Sequence, residues 1–209
     1  MTDEELFPEL PPGAFDKQDT GDDLAFYAPP RLVTHIDDGA TAALTNFYRL
    51  MLPKGGRVLD LMSSWVSHLP EDRRYGKVIG HGMNAEELAA NPRLSHRFVQ
   101  DLNLDPTLPL DDEACDAALC CVGAQYLQRP VEVFADVRRV LVAGGPFVVS
   151  FSNRCFPTKA VAIWRALGTD GHTELVKFYL KRAGFSAVQV HVLANGLASD
   201  PLIAVTGRA

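Results

Sequence analysis

Cysteine is scarce in this chain, and its spacing is wrong for both of its usual structural uses. Only four occur among 209 residues (Cys115, Cys120, Cys121 and Cys155), and no two form the CxxC pair of a zinc site or the regular array of a disulfide scaffold. Three lie within or beside apolar runs, which predicts buried, reduced thiols. Excess positive charge is also missing. Twenty Lys and Arg stand against 26 Asp and Glu, a formal charge of −6, so the chain lacks the electrostatic footprint that dominates nucleic-acid binding. No run approaches the 18 apolar residues of a membrane span. The acidic, proline-containing start MTDEELFPELPPGAF lacks the basic and apolar regions of a secretion signal. The expectation is a cytoplasmic protein without a nucleic-acid, membrane or metal partner.

What remains is ordinary globular material, 47% apolar and 22% charged, of a length that suits one domain with a large core. Residues 1–33 carry prolines, acids and the isolated aromatics Phe7, Phe15, Phe26 and Tyr27, and read as an irregular segment packed on the domain formed by residues 34–209. Asp37 and Asp38 can cap a helix whose apolar positions run from Ala42 to Leu52. Beyond the PKGG break, short apolar runs alternate with helix-permissive stretches. The strand candidates are 57–61, 77–81, 96–101, 115–122 and 145–151, and the helix candidates are 85–90 and 131–142. Near-continuous apolarity within each run suits strands covered on both faces, as in a parallel sheet. Two further helices are expected at 158–167 and 173–183. Two strands follow at 186–194 and 201–207, joined by a short turn containing Asn195-Gly196.

In such a sheet, ligands bind beyond the carboxyl ends of the strands near the switch point. That rule selects Asp60 with the loop Met62-Ser63-Ser64-Trp65, then His81 to Asn84, Asp101 to Asn103, and Cys121 to Tyr126. No GxSxG elbow surrounds Ser63. The glycines of VIGHG follow the second strand rather than the first, which argues against a nicotinamide oxidoreductase. Asp37-Asp38 beside His35 lacks the further ligands a metal would need.

The order RVLDL, KVIGHGMNAEEL, FVQDLNLDPTLPLDDEACDAALCCVGAQYL and VLVAGGPFVVSFSNR resembles the class I S-adenosylmethionine-dependent methyltransferases of the small-molecule (type 11) kind, over about residues 40–209. The resemblance implies a Rossmann-like α/β fold: a seven-stranded, mostly parallel sheet, helices on both faces, and a carboxy-terminal antiparallel hairpin. It also implies S-adenosylmethionine as cofactor and a small-molecule acceptor. Carried over position by position, Asp60 lies near the cofactor's amino group and Met62 and Ser63 line its methionine part. Asp101 accepts from the adenine amino group, Leu102 and Asn103 flank the base, and Cys121 and Val122 floor the site. Tyr126 faces the methyl donor.

Two positions depart from the family pattern. The loop after the first strand contains no glycine, and Gly82 stands where an acid usually holds the ribose, so Asn84, beside Met83, is the expected substitute. His35 is the expected base, with His68, Tyr27, Arg31 and Trp65 as further cleft candidates. The alternative reading is a member that keeps the architecture without turnover, as a ligand-binding or regulatory protein.

Overall fold

The computed structural model describes residues 10–209; Phe7 lies outside them. Strands β1 (Arg57–Leu61), β2 (Lys77–Gly82), β3 (His96–Val99), β4 (Ala117–Cys121), β5 (Pro146–Ser152), β6 (Ser186–Ala194) and β7 (Leu202–Arg208) form one sheet in the order β3-β2-β1-β4-β5-β7-β6. All pairs are parallel except β5 with β7 and β7 with β6. Its helices are α1 (Asp23–Tyr27), α2 (Asp38–Met51), α3 (Ala85–Ala90), α4 (Pro130–Val140), α5 (Ala162–Ala166) and α6 (Thr169–Arg182).

Apolarity on both sides of β1, β4 and β5 is used, whereas the edge strands β3 and β6 stay largely exposed. On one face, Val58, Val78, Leu119 and Val148 pack with Ala40, Leu44 and Tyr48 of α2. On the other, Leu59, Leu61, Phe147 and Val149 pack with Val133, Phe134 and Val137 of α4 and with Val176 and Tyr179 of α6. The Asp37 side chain caps α2 through the Ala40 amide. Because β1 is flanked by β2 on one side and β4 on the other, the chain reverses its direction of travel across the sheet at that point, which opens a crevice above the ends of these strands.

Two carboxy-terminal expectations are revised. The helix expected over 158–167 is only α5, because amides at its start are committed elsewhere: Val161 to the Gln125 carbonyl, Ala162 to Asp16 and Ile163 to Ala14. The link between β6 and β7 is a seven-residue loop over 195–201 rather than a tight turn. Asp200 within it is drawn across to Arg154 and to the Asp37 amide.

Residues 14–23 are fastened by buried charge. The Lys159 side chain is 0% exposed and bonds Asp23 at 2.9 Å, Asp19 at 3.2 Å and the Gly21 carbonyl at 2.9 Å, while Lys17 also pairs with Asp23. Burial works to raise the Asp23 pKa, but hydrogen bonds from both lysines outweigh it and hold the carboxyl below its ordinary range. Removing one member of such a group strands the others without compensation. Lys159→Met is therefore expected to cost about 3 kcal/mol or more in urea unfolding at pH 7; a loss below about 1 kcal/mol would show that the cluster is not a structural anchor.

Candidate active site

The crevice holds a cavity of about 450 Å³, within the range of small-molecule sites. Its floor is made by two loops that leave their strands in the left-handed region, at Met62 (φ 56°) and Val122 (φ 51°). For a β-branched valine this is a rare, strained conformation, of the kind that collects at ligand sites. The loops press together at Gly123, where a Cβ would lie 2.9 Å from that of Met62.

The glycine-free loop after β1 is held by His81. Its Nδ1 accepts from the Met62 amide (3.1 Å), its Nε2 donates to the Gln100 carbonyl (2.9 Å), and its own carbonyl accepts from the Ser63 amide (2.6 Å). That pair of ring bonds requires the neutral imidazole, and burial pushes the His81 pKa down to about 4. The Ser63 carbonyl then sits directly over Gly82, well inside contact distance of any Cβ placed there. An acid at the end of β2 is excluded by the path of the neighbouring loop.

The structure brings most of the expected residues to one cavity: His35, Met62, Ser63, Gly82, Met83, Asn84, Asp101, Leu102, Asn103 and Tyr126, with Tyr27 and Arg31, all line it. Asp60 and Cys121 do not. They border a second, small space behind the loop, shared with Ser67 and His68. Burial raises the Asp60 pKa to about 6 against hydrogen bonds from Ser67 and Ser63. Burial and the charge of His35 lower His68 to about 4. Trp65 donates its indole N–H to the Val33 carbonyl and so pins the amino-terminal segment.

Asn84 reaches the cavity wall with its amide already spent. Its Oδ1 accepts from the Glu86 and Glu87 amides, and its Nδ2 donates to the Tyr27 and Ala28 carbonyls at 2.9 Å each. Asn103 is similarly engaged, with the Gln128 amide, Asp23 and the Tyr126 carbonyl. Asp101 accepts from the Asn103 amide. Sequence reasoning missed Glu87, Phe156, Asp23 and Arg154 as lining residues. In Glu87 the only signal is an acid one helical turn after β2, which in AEEL reads as ordinary first-turn charge.

At the mouth, Tyr27, His35, Tyr126 and Phe156 form an aromatic wall with centroids 5.7–6.2 Å from Phe156. The Tyr126 hydroxyl accepts from the Phe156 amide (2.8 Å), and burial pushes its pKa up to about 12. Burial lowers the His35 pKa, so this imidazole is neutral near pH 7. Among the described residues, no group of three or more His, Cys, Asp or Glu is placed to hold a metal ion, and no helix is long and apolar enough to cross a membrane.

Strand order, switch-point cavity and loop positions together define a class I S-adenosylmethionine-dependent methyltransferase fold. Residues 63–149 match the model of a methyltransferase domain family. Similar solved structures include a Mesorhizobium loti S-adenosylmethionine-dependent methyltransferase (20% identity, TM-score 0.55, covering 80% of this chain and 98% of that one). A chain from the Haloferax volcanii complex that contains the Trm112 methyltransferase activator is similar at 16% identity (TM-score 0.64; 82% and 90% covered). So is the cyclase SpnF, at 17% (TM-score 0.61; 88% and 90% covered). No curated protein matches the sequence.

Two tests follow from this geometry. Gly82→Ala drives a methyl group into the Ser63 carbonyl and is expected to destabilise by about 1–3 kcal/mol; unchanged urea unfolding would refute the tight loop path. For pH, the ordinary His value of 6.5 falls to about 4 in folded His81, a difference on the order of 3 kcal/mol. The unfolded chain takes up protons below pH 6.5 that His81 and His68 refuse until about 4, so both subtract stability across that window. Asp60, raised to about 6, takes its proton first in the folded state and adds stability over part of the same range. Two losses against one gain predict a net fall between pH 6.5 and 4. His81→Gln should flatten it, and an equally steep fall in the variant would remove His81 as the cause.

Proposed function

We propose that the cavity binds S-adenosylmethionine and directs its methyl group to a small-molecule acceptor. The observation that carries this reading is the cavity itself, at the switch point, with Met62, Ser63, Asp101 and Leu102 converging from the ends of β1 and β3. The residues fit the group. Gly82 and Gly123 let the neighbouring loop close over them and complete the floor, Asp101 offers a carboxylate to an adenine amino group, and Leu102 an apolar face. Glu87 supplies the acceptor for a ribose diol that Gly82 and the committed Asn84 do not. Its carboxylate already accepts from the Arg31 amide and the Ser64 hydroxyl, at 2.6 Å each, and this anchors it at the wall with lone pairs to spare.

When bound, the cofactor supplies a methyl group already activated for displacement. The chain then has to position the acceptor, exclude water and take up a proton where the acceptor carries one. Neutral His35 at the mouth is the group able to receive that proton. Tyr126 stays protonated, so its role is to orient: with its oxygen accepting from Phe156, its own proton is available to an acceptor atom. The amino-terminal segment, hung on Asn84, Trp65 and Glu87, roofs the site.

Calorimetry with S-adenosylhomocysteine tests this. Binding is expected, and Asp101→Ala should weaken it by about 1–3 kcal/mol, the cost of leaving a buried polar group unpaired. No heat from the intact protein would overturn the reading. Binding without methyl transfer to any acceptor tried would favour a ligand-binding protein on the same fold.

A further inference from the structure

Among the described residues, the other cations near the cavity are held by carboxylates, and Arg31 is not. Arg154 is held by Asp200 through Nε and Nη2, and behind the wall Lys17 and Lys159 share Asp19 and Asp23. Half-buried Arg31 lines the cavity, yet among the described residues its guanidinium has no carboxylate partner. Nη2 donates to the Phe26 carbonyl (3.0 Å) and Nη1, at 3.4 Å, to that of Pro29. Glu87 takes the main-chain N–H of Arg31, not its side chain. Five donors less these two leaves a fork still to be satisfied. The group is also held in place, with its central carbon 4.8 Å from the ring centre of Phe26, 5.4 Å from Phe156 and 5.9 Å from Tyr27. A guanidinium packed among rings, with polar donors in reserve and, among the described residues, no carboxylate bonded to it, matches a planar anion in geometry and charge.

We infer that Arg31 is a specificity residue that receives a ligand carboxylate, and that the acceptor is a small carboxylic acid whose flat apolar body lies against Tyr27 and Phe156. This rests on the proposed methyl transfer only for the word acceptor; carboxylate recognition itself is testable without it. The wall has the matching chemistry: rings for the body, Arg31 for the acid, and His35 and Tyr126 beside the space between.

The cofactor also carries a carboxylate, so the experiment separates the two sources. Calorimetry or ligand-observed NMR would compare benzoate with benzamide on the protein alone and with S-adenosylhomocysteine present, for the native protein, Arg31→Gln and Arg31→Lys, each checked for native unfolding behaviour. Benzoate is expected to bind more tightly than benzamide by about tenfold or more. Arg31→Gln should erase that preference and Arg31→Lys restore part of it. Equal binding of the two probes, or a preference that survives in Arg31→Gln, overturns the inference. In the second arm, S-adenosylhomocysteine and its decarboxylated analogue should lose equally little affinity in Arg31→Gln. A loss confined to the carboxylated form assigns Arg31 to the cofactor and overturns the acceptor class. Should the native protein bind benzoate but not S-adenosylhomocysteine, the methyl-transfer reading fails and the carboxylate site stands.

Discussion

The loop after β1 takes with Met62 the left-handed turn that glycine favours, and it is held against its neighbour by an uncharged imidazole. His81 reaches from β2 to the Met62 amide on one side and the Gln100 carbonyl on the other, joining the ends of three strands through one ring. The arrangement works only while the ring is neutral, because its Nδ1 must accept. Burial secures that state by disfavouring the proton. With the loop so held, the Ser63 carbonyl lies over β2 and requires Gly82 beneath it.

The amino-terminal segment is the second tier of the same construction. Its main chain is gripped by side chains of the sheet's carboxyl end: Asn84 holds Tyr27 and Ala28, Glu87 holds the Arg31 amide, and Trp65 holds Val33. These are hydrogen bonds to backbone, indifferent to the identity of the residues gripped, so Tyr27, Arg31 and His35 can be specialised for the cavity without loosening the roof. Farther out, the Lys17–Asp23–Lys159 cluster fixes the segment's start at a buried site where an unpaired charge would be costly.

The legible part of the molecule was the part written in period and apolarity. Runs such as RVLDL and GPFVVSF predict strands buried on both faces, and DDGATAALTNFYRLM predicts a capped amphipathic helix; the structure has all three. Strand ends also pointed to the loops that line the cavity, because polar residues begin where the apolar runs stop. What could not be read was how each polar group spends its hydrogen bonds. Asn84 has the donor and acceptor pattern a sugar needs, but both halves of its amide are occupied by a helix start and a chain segment more than fifty residues away. Glu87 looked like helix-start charge because a sequence does not show that Gly82 is roofed by Ser63. The extent of α5 was hidden for a related reason, since its early amides pair with segments distant in sequence.

Charge placement separates the roles within the cavity. The two side chains to which the proposed reaction gives the reacting end, His35 and Tyr126, are pushed in directions that keep them uncharged near neutral pH. Of the carboxylates that line the cavity, Asp101 stands in the turn after β3 and Glu87 in α3, the two that the proposed binding mode sets against the nucleoside. Arg31 adjoins Glu87 through its main-chain N–H, but its guanidinium is supported by rings rather than by an acid. An acid bonded to the Arg31 guanidinium would have steadied the roof at the expense of its capacity to recognise an anion; aromatic faces steady a guanidinium while leaving its donors unspent. This combination, lining carboxylates near a guanidinium that among the described residues bonds none of them, with two side chains held uncharged, is a property of the assembled site rather than of any single motif in the chain.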